Sequence, residues 1–265
     1  MQWRLFLDGN LPGATNMARD VAILEAVSAG ESPPTLRLYG WDPPCLTIGK
    51  HQGLDAVDLD FCRAEGIDVV RRPTGGRALL HHLELTYSAV APLGTPPLPT
   101  ALQGAYRLIC GALVKAVREL GIDAELTGTE VNLRLPNPTS TVPCFEAPAE
   151  GEVVVAGRKL IGSAMRAHGG CILQHGAILL DWDGRLQAGA MGLADDSTLR
   201  PHVTTLTAEL DRPADRPEIE EAVIGGFTGI LGGAPAAGLL SANEVPRETE
   251  LIPTFAIQTT TDPEP

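Results

Sequence analysis

The chain has 265 residues and a mass of 27.9 kDa, with 44% hydrophobic and 20% charged residues, which suits one sizeable α/β domain and excludes a coiled coil, a collagen-like fibre and a disordered activator. A net charge of −13 sets a repulsive field against nucleic acid, so any anionic partner has to meet a local cationic cluster, as Arg71, Arg72 and Arg77 provide. Five cysteines without a CxxC pair argue against a disulfide framework and a zinc ribbon and point to a reducing cytoplasm.

In chain order, residues 2–7 read as a strand and 16–27 as an amphipathic helix through Met17, Val21, Leu24 and Val27. Short strands are predicted at 36–39, 46–48 and 67–70, with a helix over 58–65. A glycine turn follows at Thr74-Gly75-Gly76-Arg77. Leu102, Tyr106, Ile109, Leu113, Val117 and Leu120 fall on one face of a long helix that Gly121 ends. Val153–Val155 and Leu160–Ala164 flank Ala156-Gly157, a tight hairpin, and another strand spans 172–180. Residues 217–231 close as a helix. Strands joined by hairpin-length connections predict a mixed, largely antiparallel sheet flanked by helices. The expected division is one catalytic domain over 1–250 and a polar, flexible tail over 251–265. The first ten residues carry no apolar run of signal-peptide type, and the uncharged stretch 222–243 is too rich in glycine to read as a membrane span. No membrane association is therefore expected.

Only Lys50, Lys115 and Lys159 among the 20 cationic residues are lysine, the one side chain of the two types that gives up its proton in a buried site. Three places are able to carry chemistry. At Arg71-Arg72-Pro73-Thr74-Gly75-Gly76-Arg77-Ala78 a strand enters a glycine turn bracketed by arginines, which brings backbone amides and guanidinium forks close to an anion or carbonyl; the plain alternative is a hairpin with solvated arginines. Cys144 ends a proline-rich loop, where a thiol is exposed and rigidly held, whereas Cys45, Cys62, Cys110 and Cys171 sit within or beside apolar segments. An incidental loop cysteine is the alternative. Lys159 opens a strand beyond a turn and is followed by Gly162, Ser163 and Ala164, small residues that leave room for a substrate; a lysine on a solvated strand edge is the other reading. The six histidines show neither HExxH nor paired metal spacing, so no metal is expected, and the sequence around Cys144 lacks the signatures of a cysteine hydrolase.

Together these segments resemble a known family. Asn16-Met17-Ala18 with Asp20, Tyr39-Gly40-Trp41, Leu46-Thr47-Ile48-Gly49, the arginine and glycine turn, Glu84-Leu85-Thr86-Tyr87-Ser88, Pro143-Cys144-Phe145, Gly157-Arg158-Lys159 with Gly162-Ser163-Ala164, and Gln174-His175-Gly176 look like the biotin/lipoate ligase superfamily. More narrowly they resemble its octanoyl-[acyl-carrier-protein]:protein N-octanoyltransferases of lipoate biosynthesis. The resemblance implies that Cys144 becomes an acyl-thioester and that Lys159 lowers its pKa. It also implies that Arg71, Arg72, Gly75, Gly76, Arg77 and His81 line the pocket for the acyl chain and carrier arm, together with Gly162, Ser163 and Ala164. His82 departs from the pattern and its role stays open.

The implied donor is an octanoyl-acyl carrier protein and the implied acceptor a lipoyl domain or the glycine cleavage H protein. No cofactor is expected, because a thioester is already activated. The alternatives are an amidotransferase between lipoyl carrier proteins, an ATP-dependent lipoate ligase, and a non-catalytic acyl-carrier binding module. Against the ligase stands the bulky Arg77 where ligases commonly carry a small residue, which narrows the room for a nucleotide.

Overall fold

The computed structural model describes residues 2–55, 57–128 and 151–257. In chain order the elements are β1 (Arg4–Leu11), α1 (Gly13–Ser28), β2 (Thr35–Trp41), β3 (Cys45–Ile48), α2 (Leu59–Ala64), β4 (Asp68–Arg71), β5 (Leu79–His81), β6 (Glu84–Pro92), α3 (Leu102–Glu119) and β7 (Ala124–Leu126). They continue with β8 (Val153–Val155), β9 (Arg158–His168), β10 (Cys171–Leu179), α4 (Gly184–Ala190), α5 (Leu206–Leu210), α6 (Arg216–Leu231), β11 (Ala236–Ala237) and α7 (Glu244–Phe255). One eight-stranded sheet runs β11-β1-β2-β6-β10-β9-β8-β7, parallel only where β1 meets β11 and β2, and a three-stranded sheet runs β4-β3-β5. This is the mixed, largely antiparallel sheet with flanking helices that the sequence predicts.

Local signals explain most of the ends. Asp58 caps α2 by accepting from the Phe61 amide at 2.8 Å, and Asp215 caps α6 ahead of Pro217. Ala156 and Gly157 both take positive φ, 48° and 76°, as a tight hairpin turn requires, and join β8 to β9. Ile109, Leu113, Val117 and their neighbours on α3 pack with Phe227 and Val223 of α6 over one face of the large sheet. On the other face α1 lays Ile23, Leu24 and Val27 against Phe6, Val90 and Leu173.

One irregularity positions the site. Val154 pairs with Lys159 but Val153 pairs with Ile161, so β9 carries an extra residue. This β-bulge puts the consecutive Leu160 and Ile161 in the same core layer and turns Lys159 to the opposite face, over Gly162.

The C-terminal boundary differs from the expectation. The polar tail drawn from residue 251 starts inside α7, which continues to Phe255. Buried carboxylates fix this helix to the rest of the fold: Glu244 pairs with Arg4 at 2.6 Å and Glu248 with Arg19 at 2.6 Å. Beyond it the Ile257 amide donates to the Val69 carbonyl at 3.0 Å. Residues 258–265 lie outside the described part.

Candidate active site

A cavity of about 150 Å³ lies where the α1 side of the large sheet meets the small sheet. It crosses strands β2, β6, β10 and β9. Three inter-strand steps separate its β2 wall from its β9 end, roughly 14 Å. Met17 of α1 with Tyr39 and Trp41 of β2 form the apolar wall, Leu79 and Leu179 add to the lining, and Lys159, Gly162, Ser163 and Ala164 form the other end.

Lys159 is 1% exposed, which removes the reading of a solvated edge lysine. Its Nζ lies 2.5 Å from Oε1 of Glu152, itself buried at 5% exposure. Gly162 is required beside it, because a Cβ there would stand 2.6 Å from Lys159 Cε and 3.0 Å from Nζ. The next strand shows the same economy. A Cβ on Gly176 would meet the Gly162 carbonyl at 2.3 Å and Tyr87 at 2.8 Å, so β10 comes close to β9 only as glycine. Ser163 shares a 2.7 Å hydrogen bond with the Tyr87 hydroxyl, which also receives Gln174 Nε2 at 2.9 Å.

The arginine and glycine turn divides its labour. Arg72 is buried and spends its fork on the turn: Nε and Nη2 donate to the Gly75 carbonyl at 3.1 and 2.8 Å, Nη2 to Arg77 O at 2.7 Å, and Nη1 to Thr47. Gly76, at φ 96°, and Arg77 line the cavity. The close approach continues to Gly49, where a Cβ would fall 1.9 Å from the Gly76 carbonyl. Arg71 and Gly75 lie outside the lining. Arg71 Nη1 instead ties down the 49–52 loop through the carbonyls of Gly49 and Gln52, at 2.9 and 2.7 Å.

Two histidines are fixed by carboxylates. His81 Nδ1 donates to Glu84 Oε1 at 2.7 Å, leaving Nε2 for the Thr47 hydroxyl at 2.9 Å. Its ring stacks on Trp41 at 4.1 Å, and the indole Nε1 donates to Thr86 Oγ1 at 2.7 Å. His175 Nδ1 donates to Asp20 Oδ2 at 3.1 Å and its Nε2 meets Thr74 Oγ1, within the turn, at 2.7 Å. Burial holds the His175 imidazole below its ordinary pKa against the pull of Asp20, so it is neutral at pH 7.

Behind it, burial works to raise the Asp20 carboxyl, yet hydrogen bonding to His175 and the charge of Arg37 bring it below the usual range. Arg37 is fully buried, with Asp20 at 2.9 Å, Asp8 at 2.6 Å and Asn16 Oδ1 at 2.6 Å, and its guanidinium lies 3.7 Å from the Tyr39 ring centroid. The Asn16 and Asp20 positions of the first motif are thus structural anchors for Arg37 and His175.

Cys144 lies outside the described residues. The other four cysteines are buried and burial raises each thiol, Cys62 to about 11 and Cys110 to about 12. Cys110 matters because Gln174 Nε2 donates to its sulfur at 3.2 Å, close behind Ser163, yet its thiol stays protonated at neutral pH. His82 has no place in the lining. Sequence reasoning missed Glu152, which with Glu150 flanks Gly151 and reads as a solvated loop charge, and it quoted Asp20 and His175 only as parts of motifs. Among the described residues no cluster of three His, Cys, Asp or Glu is arranged to hold a metal, and no helix is long and apolar enough to cross a membrane.

Comparison with known proteins agrees with this geometry. The family model of the lipoyl protein ligase A/B catalytic domain matches residues 12–228. Octanoyltransferase LipM of Kyrpidia tusciae is 43% identical over 257 residues, 93% of each chain, and that of Symbiobacterium thermophilum is 41% identical over 94% of each. Among solved structures, a lipoate-protein ligase A bound with ATP superposes at a TM-score of 0.78 with 26% identity, covering 96% of this chain and 95% of its own. The bi-partite lipoate protein ligase of Thermoplasma acidophilum, described with its E2 lipoyl domain, gives 0.77 with 25% identity, over 96% and 92%. The chain therefore belongs to the lipoyl protein ligase A/B catalytic domain family and, within it, to the octanoyltransferases, which are acyltransferase enzymes.

Proposed function

We propose that the protein moves an octanoyl group from an acyl carrier protein thioester to a lysine of a lipoyl-bearing carrier, an E2 lipoyl domain or a glycine cleavage H protein, through a thioester on Cys144. The observation that carries this reading is the buried, ion-paired Lys159 at one end of an otherwise largely apolar cavity. An eight-carbon chain laid across the strands points its methyl end at Met17, Tyr39 and Trp41 and its carbonyl at Lys159. Glu152, eight residues after Cys144 in the chain, lines the cavity. The burial of the other four thiols supports Cys144 as the reacting one.

In the first step the Cys144 thiolate forms a bond to the octanoyl carbonyl carbon, the carrier's carbon–sulfur bond breaks, and the departing thiolate takes a proton. In the second, the acceptor amine attacks the same carbon, releases Cys144 as thiolate and gives up a proton. In this reading the Lys159 ammonium favours the Cys144 thiolate over the thiol and exchanges these protons. The backbone amide of Gly76, in the turn that Arg72 braces through the Gly75 carbonyl, is a candidate for stabilising the oxyanion. Arg77 at the lining offers a donor for the phosphate of the carrier arm.

The likeness to ligases, one of them bound with ATP, favours a second reading in which free acid is activated by adenylation. Octanoyl-carrier thioester and free octanoate with ATP are each offered to the enzyme with an unmodified lipoyl domain, and the products are weighed. Transfer from the thioester with EDTA present and ATP absent supports the proposal. Modification only from octanoate with ATP and Mg²⁺ sinks it in favour of the ligase, and transfer from an octanoylated H protein alone points to amidotransfer.

A further inference from the structure

We propose that Glu152 is a positioning residue of the acyl transfer, its carboxylate fixing the Lys159 ammonium, charged and oriented, at the β9 end of the cavity. The proposal rests on the roles given above to Cys144 and Lys159. Its basis is the charge inventory of the lining. In a chain of net charge −13, Glu152 is the one carboxylate among the described residues that line the cavity. The other charged or titratable groups there are Arg72, Arg77, Lys159, His81, His175 and Tyr39.

Glu152 is placed to serve Lys159. The 2.5 Å contact joins two side chains that are both nearly sealed from water. The backbone on each side of Glu152 is anchored, its amide donating to Thr127 Oγ1 at 3.0 Å and its carbonyl accepting from the Thr127 amide at 3.0 Å. On the lysine side the β9 bulge aims the chain inward and Gly162 leaves it space. A buried ammonium without an opposite charge sheds its proton, and a neutral amine has no charge with which to favour a thiolate. Glu152 therefore acts on the sulfur through the lysine.

The test measures the rate of Cys144 alkylation by iodoacetamide against pH in the full-length protein, together with steady-state octanoyl transfer. Glu152→Gln keeps the shape and removes the charge. Its alkylation profile is expected to move up by about one pH unit, which is a tenfold slower reaction near neutrality, with kcat falling more than KM rises. Glu152→Asp, which keeps the charge but retracts it by one methylene, is expected to shift the profile less, and it carries the test if the Gln variant does not fold. A lower melting temperature with an unshifted profile in both variants would overturn the proposal. A shift to lower pH would also overturn it, because the carboxylate would then oppose the thiolate directly. Peptide mapping of the wild-type enzyme after exposure to octanoyl-carrier separates the two levels: no octanoyl on Cys144 sinks the underlying reading, while octanoyl on Cys144 with unshifted Glu152 variants sinks this proposal alone.

Discussion

Gly162→Ala asks how tightly the lysine is placed. The added methyl lies 2.6 Å from Lys159 Cε and 3.0 Å from Nζ, against the roughly 3.5 Å at which carbon atoms rest, so the end of the lysine moves by about 1 Å. Gly162 has no positive φ, so the backbone accepts alanine without strain of its own. Glu152 holds the lysine Nζ at 2.5 Å, and moving the lysine disturbs that ion pair. Overpacking of this kind costs about 1 to 3 kcal/mol of stability. A 1 Å misplacement in a catalytic constellation costs about a hundredfold in rate. The expected variant is folded, slightly less stable, and about a hundredfold slower in single-turnover transfer, with octanoyl-carrier binding little changed. Transfer at the wild-type rate in a folded Gly162→Ala would refute the claim that this position of the lysine matters.

Asp20→Asn leaves the buried Arg37 with Asp8 as its one carboxylate partner and His175 without its acceptor charge, so a loss of about 3 to 5 kcal/mol is expected in urea unfolding. Stability should also fall as pH drops below about 6.5, because the unfolded His175 binds a proton that the folded one resists; the depressed Asp20 adds a further loss below about 3.8. A urea midpoint that stays flat from pH 7 to 5 would contradict this, and His175→Asn should weaken the slope. Arg72→Lys replaces a fork that reaches the carbonyls of Gly75 and Arg77 and the Thr47 side chain with a single ammonium. It is expected to cost about 2 to 3 kcal/mol and to raise hydrogen exchange at residues 74–77.

Much of the fold was legible because its signals are local. Asp58 caps α2, the spacing of Ile109, Leu113 and Val117 places α3 on its neighbours, and Ala156-Gly157 makes its hairpin. The central strand β6 was not read as a strand. Thr86 and Ser88 interrupt its apolar run, and Thr86 holds the Trp41 indole across the sheet. Helix α7 was read in part as tail because its last turns are polar and carry Pro253; its anchors, Arg4 and Arg19, lie more than 220 residues earlier in the chain.

The site divides the same way. Lys159 stood out by residue type, but its burial depends on a bulge that no residue pattern announces. Glu152 gave no signal, since only the folded hairpin sets it beside the lysine. Arg71 and Arg72 look alike in sequence and differ in the structure, one fastening the 49–52 loop and the other the glycine turn.

The central claim is a covalent acyl-enzyme on Cys144, formed without ATP. Wild-type protein and Cys144→Ala are mixed with octanoyl-carrier alone, with EDTA present, and their intact masses and cysteine peptides are measured before and after hydroxylamine. The result expected is a single octanoyl group on the Cys144 peptide of the wild type, removed by hydroxylamine and absent from the variant. An unmodified wild-type enzyme that nonetheless transfers octanoyl, or an octanoyl group on one of the four buried cysteines, would contradict it.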